Sequence, residues 1–250
     1  MFGALVAVPV AAVLALVFLA VGVPWWLGSL VGLALAFLVV WRLAEAADRH
    51  VLGQLRPATP AVDGDPVLLA RFANLVEGLC LSIGVPEPDV LVITDPARNA
   101  MAVARHDRQT LVVTDGLLRD LERIELEGVV AELVVRLRSG DAERATVVAG
   151  LVGRLLLDSP VGGMARPLAA GLLGRSLDRY RDVTADQQAV AITRFPPGLW
   201  AGLERIGAGQ VLPTGATPGI DHLWMVPPQR AATLFDFAPL EWRIDVLMEI

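Results

Sequence analysis

The segment 126–141, LEGVVAELVVRLRSGD, places an acid and a base four positions apart in a largely apolar run. Glu132 and Arg136 would share one face of a helix, in the acid-before-base order that favours an ion pair. Zinc chemistry on a helix needs two His at that spacing with a Glu beside the first His, and this segment contains no His. The residue types therefore favour an ion pair over a metal site.

The other reactive side chains form no second constellation in the sequence. His50, His106 and His222 lie in three separate regions and share no ligand spacing. Ser139 and Ser176 have no base beside them, and the sequence has no glycine-rich phosphate loop. A serine nucleophile is activated by a neighbouring base, and a glycine-rich loop of this kind binds the phosphates of a nucleotide. We therefore predict no catalytic residue and no cofactor.

The composition excludes one class of partner and indicates an apolar environment. The 250 residues include 21 basic and 27 acidic side chains, for a net charge of −6. This balance implies no basic surface, so we expect no nucleic acid partner. Hydrophobic residues make up 54% of the chain, above the roughly 45–50% that is usual for soluble proteins.

Two apolar runs at the N-terminus predict a transmembrane hairpin. Residues 3–23 carry no charge, and residues 26–41 follow after a short Pro-Trp-Trp turn. A signal peptide is the alternative for the first run, but the start lacks a basic region and the second run fits an anchor. Arg42, Arg49 and Arg56 follow the second run, so the positive-inside rule predicts that both ends of the hairpin are cytoplasmic.

These runs divide the chain into a transmembrane hairpin over residues 1–45, a linker over 46–65 and a cytoplasmic domain over 66–250. The domain begins with a helix from Pro66, whose apolar residues repeat at helical spacing. Cys80 lies beside that apolar stripe, so we expect its thiol to pack in the core. A single Cys forms no internal disulfide, and nothing in the sequence requires an oxidising compartment.

The body of the domain alternates short strands with helices. Residues 90–93 and 111–113 predict strands, with a hairpin-like excursion or an edge strand between them, and residues 117–138 predict one long helix. Apolar runs at 145–157 and 165–174 are too short and too charged for membrane spans. They favour amphipathic helices on the membrane surface or in the core, with a shallow re-entrant pair as the alternative. The other predicted elements are helices over 176–193 and 197–207, a strand over 222–226 and a helix from Pro239.

The order of these segments resembles that of the HtpX-type membrane zinc metallopeptidases. The resemblance runs over nearly the whole chain and depends on the order and spacing of several motifs, since no single motif is specific. Beyond the hairpin, the motifs are LVEGLCLSIGVPEPDVLVITDPARNAMAVA at 75–104, LVVTDGLLRDLERIELEGVVAE at 111–132, RYRDVTADQQAVAITRFPPGLWAGLERI at 179–206, HLWMVPP at 222–228 and LFDFAPLEWRI at 234–244.

The resemblance implies an α+β, mostly helical fold, in which a transmembrane hairpin precedes a zincin-like domain with a small β-sheet. The family's activity is that of a zinc metalloendopeptidase, which needs two His, a general-base Glu and a third ligand. On that pattern, Glu132 stands at the first His, Leu133 at the general base and Arg136 at the second His. Asp182 stands at the third ligand. The chain is therefore similar to a degenerate, gluzincin-like member without the HExxH motif.

Other positions of the family pattern are partly kept. Asp141 and Asp186 match acids of the family, whereas Phe237-Ala238-Pro239 stands where the family often has His-Pro-Pro. Leu133 has no titratable group and accepts no proton from water. Arg136 is a permanent cation that repels a metal ion. We therefore predict no metal site and, in its place, an ion pair that joins Glu132, Arg136 and Asp182.

These substitutions favour a catalytically inactive homologue in the bacterial inner membrane, a multi-pass protein that binds, scaffolds or regulates a membrane complex. Its expected partners are the lipid bilayer and either another protein or a second copy of the chain. The sequence also offers an edge strand that could pair with an extended peptide, with an ordinary, unoccupied edge as the alternative. The residues of this groove are Asn99, Ala100, Met101, Ala102, Val103 and Ala104.

Two alternatives remain open from the sequence. One is a divergent membrane-bound metalloendopeptidase or hydrolase, with a non-standard site or a site that a partner completes. The other is a structural membrane protein that keeps the fold and binds no peptide. Metal content after purification distinguishes the first alternative from the inactive homologue, and co-purifying partners distinguish the second.

Overall fold

The computed structural model divides the chain into two compact units, Met1–Ala47 and Asp48–Ile250. The predicted first membrane run, 3–23, lies almost entirely outside the described residues. The structure describes residues 12, 15, 19, 22, 24–55, 58–60, 66–160, 162–209, 212–213, 216–228, 231 and 234–250.

The first unit contains helix α1, Trp25–Glu45. Its 21 residues span about 31 Å at 1.5 Å per residue, which matches a hydrocarbon core of about 30 Å. Most of its large apolar side chains are exposed, as in a helix that faces lipid. Gly28, Gly32 and Ala36 are buried at a spacing of four, and small residues at this spacing allow close helix packing in membranes. The helix agrees with the predicted second run, 26–41.

The second unit is built around a four-stranded sheet with the strand order β1-β2-β4-β3. Strands β2 and β4 are parallel, and the other two pairs are antiparallel. The runs predicted as strands at 90–93 and 111–113 are confirmed as β2 and β4. The strands are β1 (Ala58–Pro60), β2 (Asp89–Ile93), β3 (Ala100–Arg105) and β4 (Arg108–Thr114).

The segment predicted as a linker, 46–65, contains regular structure. A single residue separates α1 from helix α2 (Ala47–Gln54), and β1 pairs with β2. The Asp48 carboxylate accepts a hydrogen bond from Arg108 Nε at 2.6 Å, which ties α2 to β4. These tertiary contacts leave no signal in the local composition, which is why the sequence indicates only a linker here.

The helix predicted from Pro66 is confirmed as α3 (Pro66–Ile83). By length and composition, α1 and α3 are both apolar enough to cross a membrane. One face of α3 nevertheless belongs to the core of the second unit, where Phe72 and Val76 are fully buried. Cys80, also on this face, is 2% exposed, as expected for a thiol that packs in the core.

The helix predicted over 117–138 is two helices, α4 (Asp115–Asp120) and α5 (Arg123–Arg138). The chain is extended at Leu121, whose side chain is buried. The Glu125 carboxylate then accepts a hydrogen bond from the Glu122 backbone N–H at 2.7 Å. This bond caps a new helix start, so the single-helix prediction was wrong.

The rest of the unit is helical. The strand predicted over 222–226 was wrong: a 3₁₀ helix ends at Leu223, and Trp224 forms an isolated β-bridge with Met101. The elements in chain order are α6 (Asp141–Val148), a π-helix (Ala149–Leu157), α7 (Gly162–Ser176), α8 (Arg181–Thr193), α9 (Pro196–Gly207), a 3₁₀ helix (Pro218–Leu223) and α10 (Leu240–Met248).

Helix α5 runs through the core and is buried from Val129 to Leu137. It crosses α9 closely because glycines line the contact. A Cβ at Gly128 would lie 2.7 Å from the Leu199 Cα, and one at Gly198 would lie 2.7 Å from the Ile124 carbonyl oxygen. This crossing fixes where α5 lies and therefore where its charged residues point.

We predict that Gly128→Ala destabilises the protein by about 1–3 kcal/mol, because the added methyl group overpacks a backbone contact. Gly78→Ala is the matched control. Gly78 is an exposed helical glycine with open space around its Cα, so alanine there is neutral or stabilising. Denaturant unfolding in detergent measures both changes, and equal stabilities of the two variants would contradict the prediction.

Candidate functional site

Helices α5 and α8 bring together the three residues at the metal-ligand positions. Glu132 and Arg136 lie one turn apart on α5, and Asp182 lies in the first turn of α8. The two helices pack side by side. All three side chains are 2% exposed or less, so their charges depend on one another for compensation.

Arg136 bridges the two carboxylates. Its Nε donates to Glu132 Oε1 at 2.6 Å, and its Nη2 donates to Asp182 Oδ1 at 2.9 Å. One planar guanidinium thus joins α5 to α8 through two charge-assisted hydrogen bonds.

A second buried arginine, Arg243 of α10, extends the site. Its Nε and Nη2 donate to the two Asp186 carboxylate oxygens at 2.7 and 2.8 Å, and its Nη1 donates to the Met225 carbonyl at 2.7 Å. Its Nη2 also lies 3.7 Å from Glu132 Oε1. The sequence indicates Asp186 through the family pattern but gives no sign of Arg243, since the two residues are 57 positions apart and no local pattern links them.

Arg181, at the start of α8, forms the third branch of the network. Its Nη2 lies 3.0 Å from Asp141 Oδ2, and its Nε lies 3.7 Å from Asp182 Oδ1. Burial, together with the nearby Arg136, lowers the pKa of Arg181. Asp141 begins α6, so this branch connects that helix to α8.

The network contains more carboxylates than arginines. Burial, with a smaller contribution from Asp186, raises the pKa of Glu132 although Arg136 opposes the shift. Burial also acts to raise the pKa of Asp182, but Arg136 and Arg243 outweigh it and the pKa is lowered. Glu132 is therefore the carboxyl that gains a proton more readily, which would leave three positive and three negative charges. The members are Glu132, Arg136, Asp141, Arg181, Asp182, Asp186 and Arg243.

The residues at the centre of the site do not fit a zinc ion. A guanidinium that contacts both carboxylates repels a divalent cation, and it has no lone pair to offer a metal. Glu132 and Asp182 alone would supply two ligands, whereas zinc sites usually have three or four. Within the described part of the chain, no group of three or more His, Cys, Asp or Glu side chains could hold a metal ion. Leu133, at the general-base position, is fully buried in the core.

The three histidines lie apart from this site and from one another. His222 is buried with its Nε2 3.0 Å from the Ala145 carbonyl, and burial lowers its pKa to about 4, so its ring is neutral at pH 7. His50 lies on α2 beside Gln54, and His106 lies in the turn between β3 and β4. Ser139 caps the C-terminal end of α5, and Ser176 is the last residue of α7.

A cavity of about 640 Å³ adjoins Arg243. Phe237, Ala238 and Pro239, which replace the family's His-Pro-Pro, line it together with Pro227 and Pro228. Its walls are mainly apolar, so these residues add no metal ligand to the site.

The predicted peptide groove, 99–104, lies at the edge of the sheet, but its outer side is covered. The Ala100 carbonyl accepts a hydrogen bond from the Met225 N–H at 2.8 Å. The Asn99 side chain donates to the Val226 carbonyl at 2.8 Å. At the other end, the Ala104 N–H donates to Thr146 Oγ1 at 3.1 Å.

The side chains of the groove residues are also buried. The residues from Ala100 to Ala104 are at most 4% exposed. The chain's own segment 224–226 lies along this edge, so a peptide that pairs there would have to displace it.

Comparison with known proteins identifies the family. No protein-family model matches the chain. The chain is 32% identical over 205 residues to the Protease HtpX homolog of Dictyoglomus thermophilum, a match that covers 72% of this chain and 66% of the relative. It is 30% identical over 217 residues to the Protease HtpX homolog of Caldanaerobacter subterraneus subsp. tengcongensis, with 73% of this chain and 71% of the relative covered.

The chain belongs to the HtpX protease family. Its matches to the first relatives span just under two thirds of their length. The crystal structure of S. mikatae Ste24p has the same fold, with a TM-score of 0.52 at 14% identity, over 98% of this chain and 63% of that chain. The resemblance and the α+β, mostly helical fold class are thus confirmed. This HtpX-family chain is a membrane, metallopeptidase-like protein.

We predict that Arg136→Ala destabilises this HtpX-family protein by about 3–5 kcal/mol, because it leaves two buried carboxylates without their cation. The double variant with Asp182→Ala should lose less stability than the sum of the two single variants, since the residues share one contact. Arg138→Ala is the matched control, an exposed arginine on the same helix, and should change stability by less than about 0.5 kcal/mol. Strict additivity in denaturant unfolding would contradict the ion pair.

The raised pKa of Glu132 makes the free energy of unfolding depend on pH. When folding raises the pKa of a carboxyl, the protein loses stability as the pH rises above the pKa that this carboxyl has in the unfolded chain. For Glu132 that unfolded-state pKa is 4.5. Glu132→Gln removes this loss. Relative to the wild type, the variant should therefore gain stability as the pH rises from 4.5 towards 8, by no more than about 1.4 kcal/mol per pH unit.

Unfolding free energies measured across this pH range provide the check. At more than about one pH unit below 4.5 the wild-type carboxyl is protonated in both states, so the difference between the two proteins should be constant there and serves as an internal control. A difference that stays flat at all pH values, or that changes with the opposite sign, would refute the raised pKa.

Proposed function

We propose that this HtpX-family protein is a pseudopeptidase, a membrane-anchored and catalytically inactive subunit that binds, scaffolds or regulates a membrane protein complex. The observation that supports the proposal is the contact of the Arg136 guanidinium with both Glu132 and Asp182, at 2.6 and 2.9 Å. Peptide hydrolysis by zinc needs a metal-bound water and a base. An arginine between the carboxylates removes the first requirement.

The general base is missing as well. Leu133 is fully buried among apolar neighbours and has no group that accepts a proton. Glu132, next to it in sequence, is engaged with Arg136 and has no access to solvent. The two substitutions support one conclusion, because either alone would remove a group on which hydrolysis depends.

The proposed location is the bacterial inner membrane, in a multi-pass arrangement with the second unit in the cytoplasm. Helix α1 has the length and composition of a membrane span. Arg42 lies in its last turn and Arg49 and Arg56 follow it in the sequence, whereas the residues just before it include no basic one, and basic residues favour the cytoplasmic side. The scaffold therefore acts on proteins that are in or at the membrane.

Zinc content tests the inactivity directly. The full chain, purified with zinc supplied and then desalted, should contain far less than one zinc per chain. The matched variant restores the ligand set by Glu132→His, Leu133→Glu, Arg136→His and Asp182→Glu, and should retain about one zinc per chain if it folds. Stoichiometric zinc in the wild type, or hydrolysis of an unfolded protein substrate that a metal chelator stops, would overturn the proposal in favour of a divergent hydrolase.

The scaffold role has its own test. The full chain extracted from native membranes in a mild detergent should co-elute with another polypeptide, or with a second copy of itself, in fixed stoichiometry. Elution as a lone monomer across mild detergents would leave the fold without a binding role and would favour a purely structural membrane protein.

A further inference from the structure

A small pocket lies beside the buried network, between the end of α5 and the starts of α6 and α8. Its volume is about 150 Å³. Arg181 of the network forms part of its wall, together with the buried apolar side chains of Val135, Leu177 and Ala185. The other lining residues are polar, and several of them are exposed to solvent. A molecule from solution therefore has access to one branch of the network.

The guanidinium of Arg181 has hydrogen-bonding capacity that the described residues do not use. Its side chain is 3% exposed, and its Nη2 lies 3.0 Å from Asp141 Oδ2. Its Nε lies 3.7 Å from Asp182 Oδ1, too far for a hydrogen bond. Within the described part of the chain, neither Nε nor Nη1 has a hydrogen-bond partner. Buried polar groups are almost always hydrogen-bonded, so a buried donor in the wall of a pocket indicates that the pocket receives an acceptor.

The charged side chains that line the pocket balance one another. Arg144 and Arg181 are basic, whereas Asp141 and Asp178 are acidic. Asp178 is exposed, and its Oδ1 accepts a hydrogen bond from the Tyr180 N–H at 2.9 Å, but a carboxylate accepts several such bonds. A simple anion would be repelled by the two carboxylates while it is attracted by the two arginines. The lining therefore suits a ligand that carries both charges.

The size of the pocket and its uncharged lining restrict the ligand further. A volume of about 150 Å³ suits a molecule of about six non-hydrogen atoms, since a cavity of that size is large enough for benzene. The apolar part of the wall has room for a short aliphatic group. Uncharged hydrogen-bonding groups complete the lining, from Ser139, Ser176, Thr184 and Gln188.

We propose that this pocket binds a small zwitterion, of the class of a free α-amino acid with a short side chain. The carboxylate of the ligand accepts hydrogen bonds from Arg181 Nη1 and from Arg144, and charge-assisted bonds of this kind are the stronger ones. Its ammonium group donates to Asp178, and its aliphatic group lies against Leu177 and Ala185.

The site goes beyond the proposed scaffold role and does not depend on it. None of the three residues at the metal-ligand positions lines the pocket. Because Arg181 contacts both Asp141 of α6 and the ligand, binding would hold the start of α6 against α8. A ligand that binds only the folded chain also stabilises it, in proportion to the logarithm of its concentration once the site is saturated.

Equilibrium dialysis of the full chain in detergent tests the proposal with alanine as the probe. Propionate and ethylamine are the matched ligands, since each keeps the aliphatic group and one of the two charges. Alanine should bind saturably at one molecule per chain, and the other two should bind at least tenfold more weakly. Alanine should also raise the Tm of the chain at saturating concentration.

Exposed residues of the wall are the ones to change, because Arg181 belongs to the buried network and its replacement endangers the fold. Arg144→Gln and Asp178→Asn should each weaken alanine binding at least tenfold. Arg138→Gln and Asp245→Asn are the matched controls, exposed residues outside the pocket, and should leave it unchanged.

Three results would overturn the proposal. Absence of saturable alanine binding would leave the pocket to ordered water. Propionate binding as tight as that of alanine would make it a site for simple carboxylates. Alanine binding that neither Arg144→Gln nor Asp178→Asn weakens would place the ligand elsewhere on the chain.

Discussion

The charge of Arg136 must be neutralised inside the core, and this requirement organises much of the second unit. A buried guanidinium is tolerated only when carboxylates compensate it at hydrogen-bond distance. Glu132 meets this need from the same helix, and Asp182 meets it from α8. Arg243 and Arg181, each paired with a carboxylate of its own, extend the network to α10 and α6. Four helices are thus oriented by one connected set of charges.

Under the proposed function, this arrangement replaces a metal ion by a covalently attached cation. A zinc site couples folding to metal supply, because its ligands repel one another or lose solvation without the ion. In this chain the positive charge is part of α5, so the helices are joined whether or not metal is present. The proposed binding role would thereby keep the fold of an HtpX-type protease without a Lewis acid.

At the sheet edge, too, the chain supplies its own partner. An unpaired edge strand is a liability, and here the chain covers it with residues 224–226 and with Thr146. The cover connects to the charged network, since the Met225 carbonyl accepts a hydrogen bond from Arg243. Any partner that pairs with β3 would have to displace this segment and disturb the site.

The sequence predicts well those features that depend on local patterns. The β-branched runs at 90–93 and 111–113 indicate their strands, and the four-residue spacing of Glu132 and Arg136 indicates a shared helix face. Asp182 is placed opposite them only through the resemblance to a family. The pairing of Arg243 with Asp186 and the cover over β3 escape prediction, because they join residues far apart in the chain that carry no common motif.

A crystal or cryo-EM structure of the full chain in lipid, prepared with zinc present, tests most directly whether Arg136, and not a zinc ion, lies between the two carboxylates. In that structure Arg136 Nη2 should lie near 2.9 Å from Asp182 Oδ1, with Glu132 on the guanidinium's other side. Scattering at the zinc absorption edge should show no peak between α5 and α8. An anomalous peak at about 2.0–2.2 Å from the carboxylates, with Arg136 turned away, would contradict the account.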